Sequence, residues 1–271
     1  MSDNIKSRIK PNGPPLKWAG GKRWLLPHLK PLWALQSGRR LVEPFCGGLS
    51  VTLGLMPARA VLNDINSHLI NFYRCLQEGL VVEEQLYNEE VFYYESRKRF
   101  NSLVRKGLAD SKEAAVLFYY LNRTGYNGLC RFNRKGEFNV PFGRYKKIKY
   151  CYDFLPYRDL LKNWSFLTED FTRIDTDNSD FIYADPPYDV EFTAYSREGF
   201  AWEDQVRLVE WLDRHSGPVA LSNQATGRIL DLYTEFGYSI QFLEAPRKIS
   251  CTGDRTPARE VLAAKGFLVQ A

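Results

Sequence analysis

The segment Asp180-Phe181-Ile182-Tyr183-Ala184-Asp185-Pro186-Pro187-Tyr188 constrains this chain most, because a short apolar run leads straight into two consecutive prolines. Each proline fixes its own φ, lacks a backbone donor and disfavours a helical residue before it, so neither a strand nor a helix continues through Pro186-Pro187. Asp185 and Tyr188 are thereby held at the carboxyl end of a strand, the place where open α/β sheets bind their ligands.

At 271 residues, 44% hydrophobic and 25% charged, the chain can bury a full core as one or two globular domains. Cys46, Cys75, Cys130, Cys151 and Cys251 are odd in number and scattered, with no Cys-x-x-Cys pair, so neither a disulfide framework nor a zinc knuckle is indicated and a reducing compartment is expected. Cys46 beside its glycines reads as a small buried side chain rather than a nucleophile. His28, His68 and His215 show no ligand spacing, and no metal site is expected. No apolar run is long enough to span a bilayer and no charged-then-apolar leader opens the chain, so the expectation is a cytoplasmic protein without membrane contact.

The net charge of +5 is unevenly spread. Between Glu95 and Lys149 there are fourteen Lys/Arg against four Asp/Glu, a local charge of +10 that leaves −5 for the remainder. Phe118, Tyr119, Tyr120, Tyr126, Phe132, Phe138, Phe142 and Tyr145 are interleaved with those cations, as expected of a surface that meets phosphates and bases. A solvated basic face over an aromatic core gives the same pattern.

Residues 1–15 are polar, with Pro11, Gly13, Pro14 and Pro15, and read as a flexible lead-in. Lys17-Trp18-Ala19-Gly20-Gly21-Lys22 follows; it is no phosphate-binding P-loop, because Leu16 stands where that motif has Gly and Arg23 where it has Ser or Thr. A strand over 41–44 enters Phe45-Cys46-Gly47-Gly48-Leu49-Ser50. A second, over 60–62, ends at Asn63-Asp64, and a helix with the apolar stripe Leu69, Phe72, Tyr73 and Leu76 comes next. Strand, Gly turn, helix, strand and acid is the order of a dinucleotide-like site: the glycines admit a ligand to the backbone, and a carboxylate about 20 residues on can bind ribose hydroxyls. Strand-like runs recur over 163–167, 181–184, 218–221 and 239–243, with an amphipathic helix over 203–215. The chain reads as an α/β sheet domain, residues 1–66 and 146–271, interrupted by an inserted module, residues 67–145, with no internal repeat and no low-complexity tract.

The tetrapeptide Asp185-Pro186-Pro187-Tyr188 matches the signature of enzymes that methylate exocyclic amines with S-adenosylmethionine, in the version linked mostly to adenine N6. From Leu16 onward the pieces resemble the DNA adenine methyltransferase (Dam) family, in the order of its α group: cofactor motifs, target-recognition domain, catalytic motif. The most specific block is Leu121-Asn122-Arg123-Thr124-Gly125-Tyr126-Asn127-Gly128-Leu129-Cys130-Arg131-Phe132-Asn133, continuing through Gly136-Glu137-Phe138-Asn139-Val140-Pro141-Phe142-Gly143-Arg144-Tyr145-Lys146. The resemblance implies a Rossmann-like SAM-dependent methyltransferase sheet and an inserted, mainly helical target-recognition domain that carries a β-hairpin. It implies double-stranded DNA as partner, GATC as target, and S-adenosylmethionine as cofactor with S-adenosylhomocysteine as product; no obligate protein partner is evident in the sequence. Two positions depart from the family pattern: Thr124 stands where many members have an aromatic residue, and Leu49 replaces a glycine of the first cofactor motif, with Gly48 one position early.

Site roles follow residue by residue from the same resemblance. Trp18 packs beside the adenosine, Lys22 and Gly47 contact the cofactor, Phe45 lines its adenine pocket with Phe171, Asp64 takes the ribose hydroxyls and Asp185 lies near the methionine amine. Asp64, read alone, also fits a helix N-cap. Lys17 reaches the first guanine and Leu129, Arg131 and Pro141 read the outer half of the site. Arg123, Asn127 and Asn133 complete the DNA-contacting set, and Arg144 and Lys146 suit phosphates. Physically, Arg123–Gly128 is a loop by its glycines, with Tyr126 placed to wedge into a base stack. Arg131 opens a hairpin whose turn is expected at Arg134-Lys135-Gly136-Glu137; such an arm fits the major groove, where Arg pairs bidentately with guanine O6 and N7.

The chemistry suits the tetrapeptide. An exocyclic amine is a weak nucleophile because its lone pair is delocalised into the ring, so preorganised acceptors, the Asp185 carboxylate and the Pro186 carbonyl, favour the tetrahedral nitrogen. Pro187 fixes the chain direction, and Tyr188 offers a stacking face for an adenine flipped from the duplex. Methylation of another planar amine, such as cytosine N4 or RNA adenine, and a DNA-binding protein with an inactive methyltransferase fold are the competing readings. Ser250-Cys251-Thr252-Gly253-Asp254-Arg255 reads as a polar loop that closes over DNA or the active site.

Overall fold

A computed structural model describes residues 13–189, 199–246 and 258–267. The lead-in through residue 12, Cys251 and the Ser250–Arg255 loop lie outside the described residues. The chain forms two compact units: Met1–Gly21, Gly47–Leu53 and Asn66–Phe166 make the first, and Lys22–Cys46, Gly54–Ile65 and Leu167–Ala271 the second.

Among the described residues, seven strands make one sheet: β1 (Leu41–Glu43), β2 (Ala60–Asn63), β3 (Trp164–Leu167), β4 (Phe181–Ala184), β5 (Val219–Gln224), β6 (Ser239–Ala245) and β7 (Ala258–Lys265), in the order β3-β2-β1-β4-β5-β7-β6. β2, β1, β4 and β5 run parallel, whereas β7 is antiparallel to both β5 and β6. Every residue of β1, β2 and β4 is buried, so none of them alternates; β4 is apolar or aromatic throughout, while β1 and β2 end on the buried polar Glu43 and Asn63. From β1 the chain passes to β2 on one side and later returns to β4 on the other. The strand order therefore reverses between β1 and β4, and their carboxyl ends flank the topological switch point of a Rossmann-like sheet.

Helices α1 (Leu26–Ala34) and α2 (Thr52–Leu55) lie before and after β1 in the chain, and the second unit covers its sheet with α7 (Trp202–Asp213) and α8 (Gly227–Glu235). Leu208, Val209 and Leu212 of α7 and Ile229, Leu232 and Tyr233 of α8 pack in one cluster with Ile182 of β4 and Leu221 of β5. Burying each such aliphatic side chain contributes about 1.5–3 kcal/mol. β7 escaped the sequence reading, because Ala258, Ala263 and Ala264 dilute its strand character. Pairing on both sides, to β5 and β6, overrides that weak propensity.

The first unit is mainly helical: α3 (Ser67–Gln77), α4 (Glu90–Arg105), α5 (Lys112–Thr124) and α6 (Leu155–Leu161). The expected stripe of α3, Leu69, Phe72, Tyr73 and Leu76, is fully buried. Phe72 stacks on Tyr119 of α5 with centroids 5.8 Å apart and an interplanar angle of 8°, and Phe154 meets both rings edge-on. Phe118, Tyr119, Tyr120 and Phe138 are all buried, so a large part of the interleaved aromatic set forms the core beneath the basic face, while Tyr126 stays half exposed. The Asn66 side chain caps α3 by accepting from the N–H groups of His68 (3.1 Å) and Leu69 (3.2 Å), which leaves Asp64 outside the cap.

The expected hairpin is present as a turn with sparse pairing rather than as two regular strands. Gly136 N–H donates to Asn133 O at 2.9 Å, so the turn is Asn133–Gly136, one residue earlier than the sequence suggests, with Gly136 at φ 72°. Phe132 and Phe138 form the bridge, flanked by Asn133 N to Glu137 O (2.9 Å) and Asn139 N to Arg131 O (3.1 Å). Asn101 of α4 takes the place of a further strand: its side chain accepts from Phe138 N–H at 2.8 Å and donates to Phe138 O at 3.1 Å.

Both departures from the family pattern resolve structurally. Thr124 has no exposed surface and its hydroxyl lies 2.9 Å from that of Tyr150, so it belongs to the interior. Leu49 is fully buried at φ 59°, keeping the left-handed turn that glycine adopts without cost. Such a conformation costs a residue with a Cβ roughly 1–2 kcal/mol, an amount that burial of its side chain offsets. Asn66→Ala is expected to lower unfolding stability by about 1 kcal/mol through loss of the α3 cap; an unchanged urea-unfolding midpoint would contradict that role for the side chain.

Candidate active site and recognition loop

β4 ends at Ala184, and Asp185 follows at the switch point. The Lys22 ammonium, only 3% exposed, lies 3.0 Å from Asp185 Oδ1, and the Ser222 hydroxyl on β5 donates to the same oxygen at 2.8 Å. Tyr183, buried inside β4, has its hydroxyl 2.7 Å from that of Ser222. Burial raises the Asp185 carboxyl above the usual carboxylate range, and the Lys22 charge and the Ser222 hydroxyl hold it back.

The rest of the tetrapeptide is fixed through its backbone and its neighbour. Gln205 of α7, 1% exposed, donates to Pro187 O at 2.8 Å, and Asn223 of β5 donates to Gln205 Oε1 at 3.1 Å. Asp189, one residue past Tyr188, is buried and forms a bidentate pair with the Arg228 guanidinium, which also lies over the Trp202 ring. The Tyr188 hydroxyl donates to the Glu260 carboxylate on β7, and the Lys22 ammonium lies 4.6 Å from the Tyr188 ring centroid. Burial, then Asp185 and Glu260, push the Tyr188 phenol far above its ordinary range, so it stays protonated.

Beside this site, the buried Asn63 joins three strand ends. Its amide donates to Pro44 O and Glu169 O, both at 3.0 Å, and accepts from Glu169 N–H at 3.0 Å. Asp64 follows, half buried, with its N–H on Leu167 O at 3.3 Å. Phe45 and Phe171 come together as the sequence suggests, centroids 5.6 Å apart. Phe200 closes a three-ring cluster with them, 5.4 Å from Phe45 and 5.9 Å from Phe171. The Arg207 guanidinium stands over Phe171 at 5.2 Å while pairing with Asp170 at 3.0 Å.

In the first unit, Trp18 packs against the glycine turn so tightly that a Cβ on Gly48 would stand 2.7 Å from Trp18 Cβ, and one on Gly47 2.8 Å from the indole Nε1. Only glycine fits at either place. Tyr73 donates to Gly47 O at 2.6 Å. The backbone of Lys17 is clamped by the Asn122 side chain, which accepts from its N–H at 2.9 Å and donates to its C=O at 2.7 Å. The Lys17 ammonium donates to Arg123 O at 2.9 Å and sits 3.7 Å from the Tyr145 ring centroid. Burial and the neighbouring Arg123 charge lower its pKa to about 8.

The recognition residues divide into fixed and exposed groups. Tyr126 is 50% exposed beside Asn127, which adopts φ 52°, and its N–H is tied to Pro141 O at 2.9 Å. Leu129 is half buried. Arg131 is exposed, with its Nε on Asn139 Oδ1 at 2.8 Å, so the guanidinium is anchored while donors remain. The Asn133 side chain is used inside the turn, where Oδ1 accepts from Lys135 N–H (2.9 Å) and Glu137 N–H (3.0 Å). Arg144 pairs with Glu90 at 3.2 Å, and Lys146 is exposed. Arg123 keeps its Nε buried with no hydrogen-bond partner among the described residues.

Sequence reading missed Ser222, Gln205, Glu260, Asn63, Asn122 and Asn139. Asn63 carried a local signal, beside Asp64 at a strand end, and Asn139 lies eight residues from Arg131 within the same block; Ser222, Gln205, Glu260 and Asn122 act across separations of 18 residues or more that no local pattern encodes.

A model of the D12 class N6 adenine-specific DNA methyltransferase family matches residues 18–249. The Retron Ec67 DNA adenine methylase of Escherichia coli is 35% identical over 270 residues, covering 93% of this chain and 90% of that protein. The DNA adenine methylase of Escherichia coli K12 is 37% identical, covering 94% and 96%. The type II methyltransferase M1.LlaDCHI of Lactococcus lactis is also 37% identical, covering 90% and 92%. In a carboxyl-carbon NMR titration, Asp185 is expected to titrate above the ordinary aspartate range, and Lys22→Met to raise it further by removing the charge that favours the carboxylate; a fall on that substitution would contradict the pairing.

Proposed function

The chain belongs to the D12 class of N6 adenine-specific DNA methyltransferases, and on that premise we propose that it methylates a flipped adenine in double-stranded GATC with S-adenosylmethionine as donor. The observation that carries this reading is the largely buried Asp185, its side chain 19% exposed, held between Lys22 and Ser222 where β4 stops at two prolines. The Asp185 carboxylate and the Pro186 carbonyl accept the two N–H bonds of the adenine amine, directing the nitrogen lone pair outward. Acceptors already fixed in place need no reorganisation as charge develops on that nitrogen. Gln205 holds the following carbonyl, so the acceptor pair keeps its direction. Tyr188 stacks on the flipped base.

The residues present fit the donor. In the second unit, Phe45, Phe171 and Phe200 form an aromatic cluster suited to an adenine and Asp64 supplies a carboxylate for ribose hydroxyls; in the first, the glycine turn at Gly47-Gly48 packs against Trp18. S-adenosylmethionine, when bound, supplies an electrophilic sulfonium methyl group. The left-handed φ retained at Leu49 supports a working loop rather than a fold that has lost its function.

For the duplex, Lys17 supports a guanine contact at the first position, its backbone clamped by Asn122. Arg131, anchored on Asn139, supports a second guanine contact, with Leu129 and Pro141 beside it. Tyr126 is the exposed wedge, Arg123 and Asn127 shape its loop, Arg144 and Lys146 meet phosphates, and Asn133 acts through the turn. Mapping N6-methyladenine after incubation with unmethylated plasmid and S-adenosylmethionine is expected to show modification confined to GATC; methylation at other sequences would overturn the recognition reading and leave the chemistry. Arg131→Ala is expected to relax discrimination at one guanine by about 1–3 kcal/mol, measured as relative single-turnover rates on substituted duplexes, and unchanged discrimination would remove it from the reading set.

A further inference from the structure

We propose that Glu260 is a positioning residue that tethers the Tyr188 ring in its stacking orientation, an inference that rests on the reading of Tyr188 as the platform for the flipped adenine. Glu260 lies on β7 opposite Gln224 at the carboxyl end of β5. Because β7 is antiparallel, its beginning reaches the same edge of the sheet at which β4 delivers Asp185. The Glu260 side chain is 5% exposed, an unusual place for a carboxylate, and it accepts the Tyr188 hydroxyl bond. A phenol donating to a carboxylate makes a charge-assisted bond, about twice the strength of a neutral one.

The tether explains why the position holds tyrosine. Phenylalanine would offer the same face to a base, yet nothing at its far end would stop the ring from swinging. Pro186-Pro187 and Gln205 fix the backbone before the ring, and the Asp189–Arg228 pair fixes the backbone after it. Rotation of the side chain is left to be set by its tip, and Glu260 sets it.

The test is a double-mutant cycle in the full chain, read by single-turnover methyl transfer and by fluorescence of a duplex with 2-aminopurine at the target position. Tyr188→Phe and Glu260→Ala are each expected to slow transfer by about tenfold, and the double variant by that same tenfold, because both remove one bond. Glu260→Gln, whose amide oxygen still accepts, is expected to lose only about threefold. In each slowed variant the 2-aminopurine signal should rise as stacking loosens, while duplex affinity holds. Losses that multiply to about a hundredfold in the double variant, or a wild-type rate for Glu260→Ala, would overturn the tether. Tyr188→Phe removes a single oxygen and so reads the bond even if Glu260→Ala fails to fold. Tyr188→Ala separates the two readings: persistent transfer and quenching there would sink the platform itself, and the tether with it. Loss in Tyr188→Ala beside wild-type behaviour in Tyr188→Phe and Glu260→Ala would remove the tether alone.

Discussion

Everything at the active edge depends on how β4 stops. A strand that continued past Ala184 would point alternate side chains to the two faces of the sheet, and Asp185 would become another core position. Two prolines end the ladder instead, so the carboxylate emerges at the switch point where the neighbouring strand diverges. Burying a carboxylate there is costly unless it is paired, and Lys22 and Ser222 provide the pairing. The raised pKa of Asp185 is the residue of that balance: burial outweighs the two partners.

Stiffness in the first unit around residues 122–139 comes from side chains that bond to backbone, not from long β ladders. Asn122 clamps Lys17, Asn101 clamps Phe138, and Asn133 closes the turn. A short loop held this way keeps Arg131 and Tyr126 exposed without a regular strand beneath them. The aromatic interior of α3 and α5 supplies the support below, which reconciles a basic exterior with rings that are mostly core. The same economy appears at Leu49, where a buried side chain compensates a strained backbone.

β4 was legible because full burial writes itself as an unbroken apolar run: it begins and ends where the sequence placed it, and β1, β2 and the half-exposed β3 lie within a residue of expectation. The helix of α3 was legible by its stripe. β7 was not, since alanine-rich strands are specified by their neighbours rather than by propensity, and with β7 the sequence reading lost Glu260. The hairpin turn fell one residue early because the Asn133 side chain, not the Gly136 dipeptide alone, chooses where it closes. The short motifs were visible in the sequence; Ser222 and Glu260, which bond to Asp185 and Tyr188, sit 37 and 72 residues away and became visible only through the fold.

The most direct test of the account is single-turnover methyl transfer by Asp185→Ala, with duplex and S-adenosylmethionine affinities measured on the same protein. A rate lower by at least about a hundredfold at saturating S-adenosylmethionine, with duplex affinity retained, is predicted, since the acceptor acts on the reacting nitrogen rather than on duplex binding. A rate close to that of the unaltered chain would contradict the placement of catalysis at the end of β4.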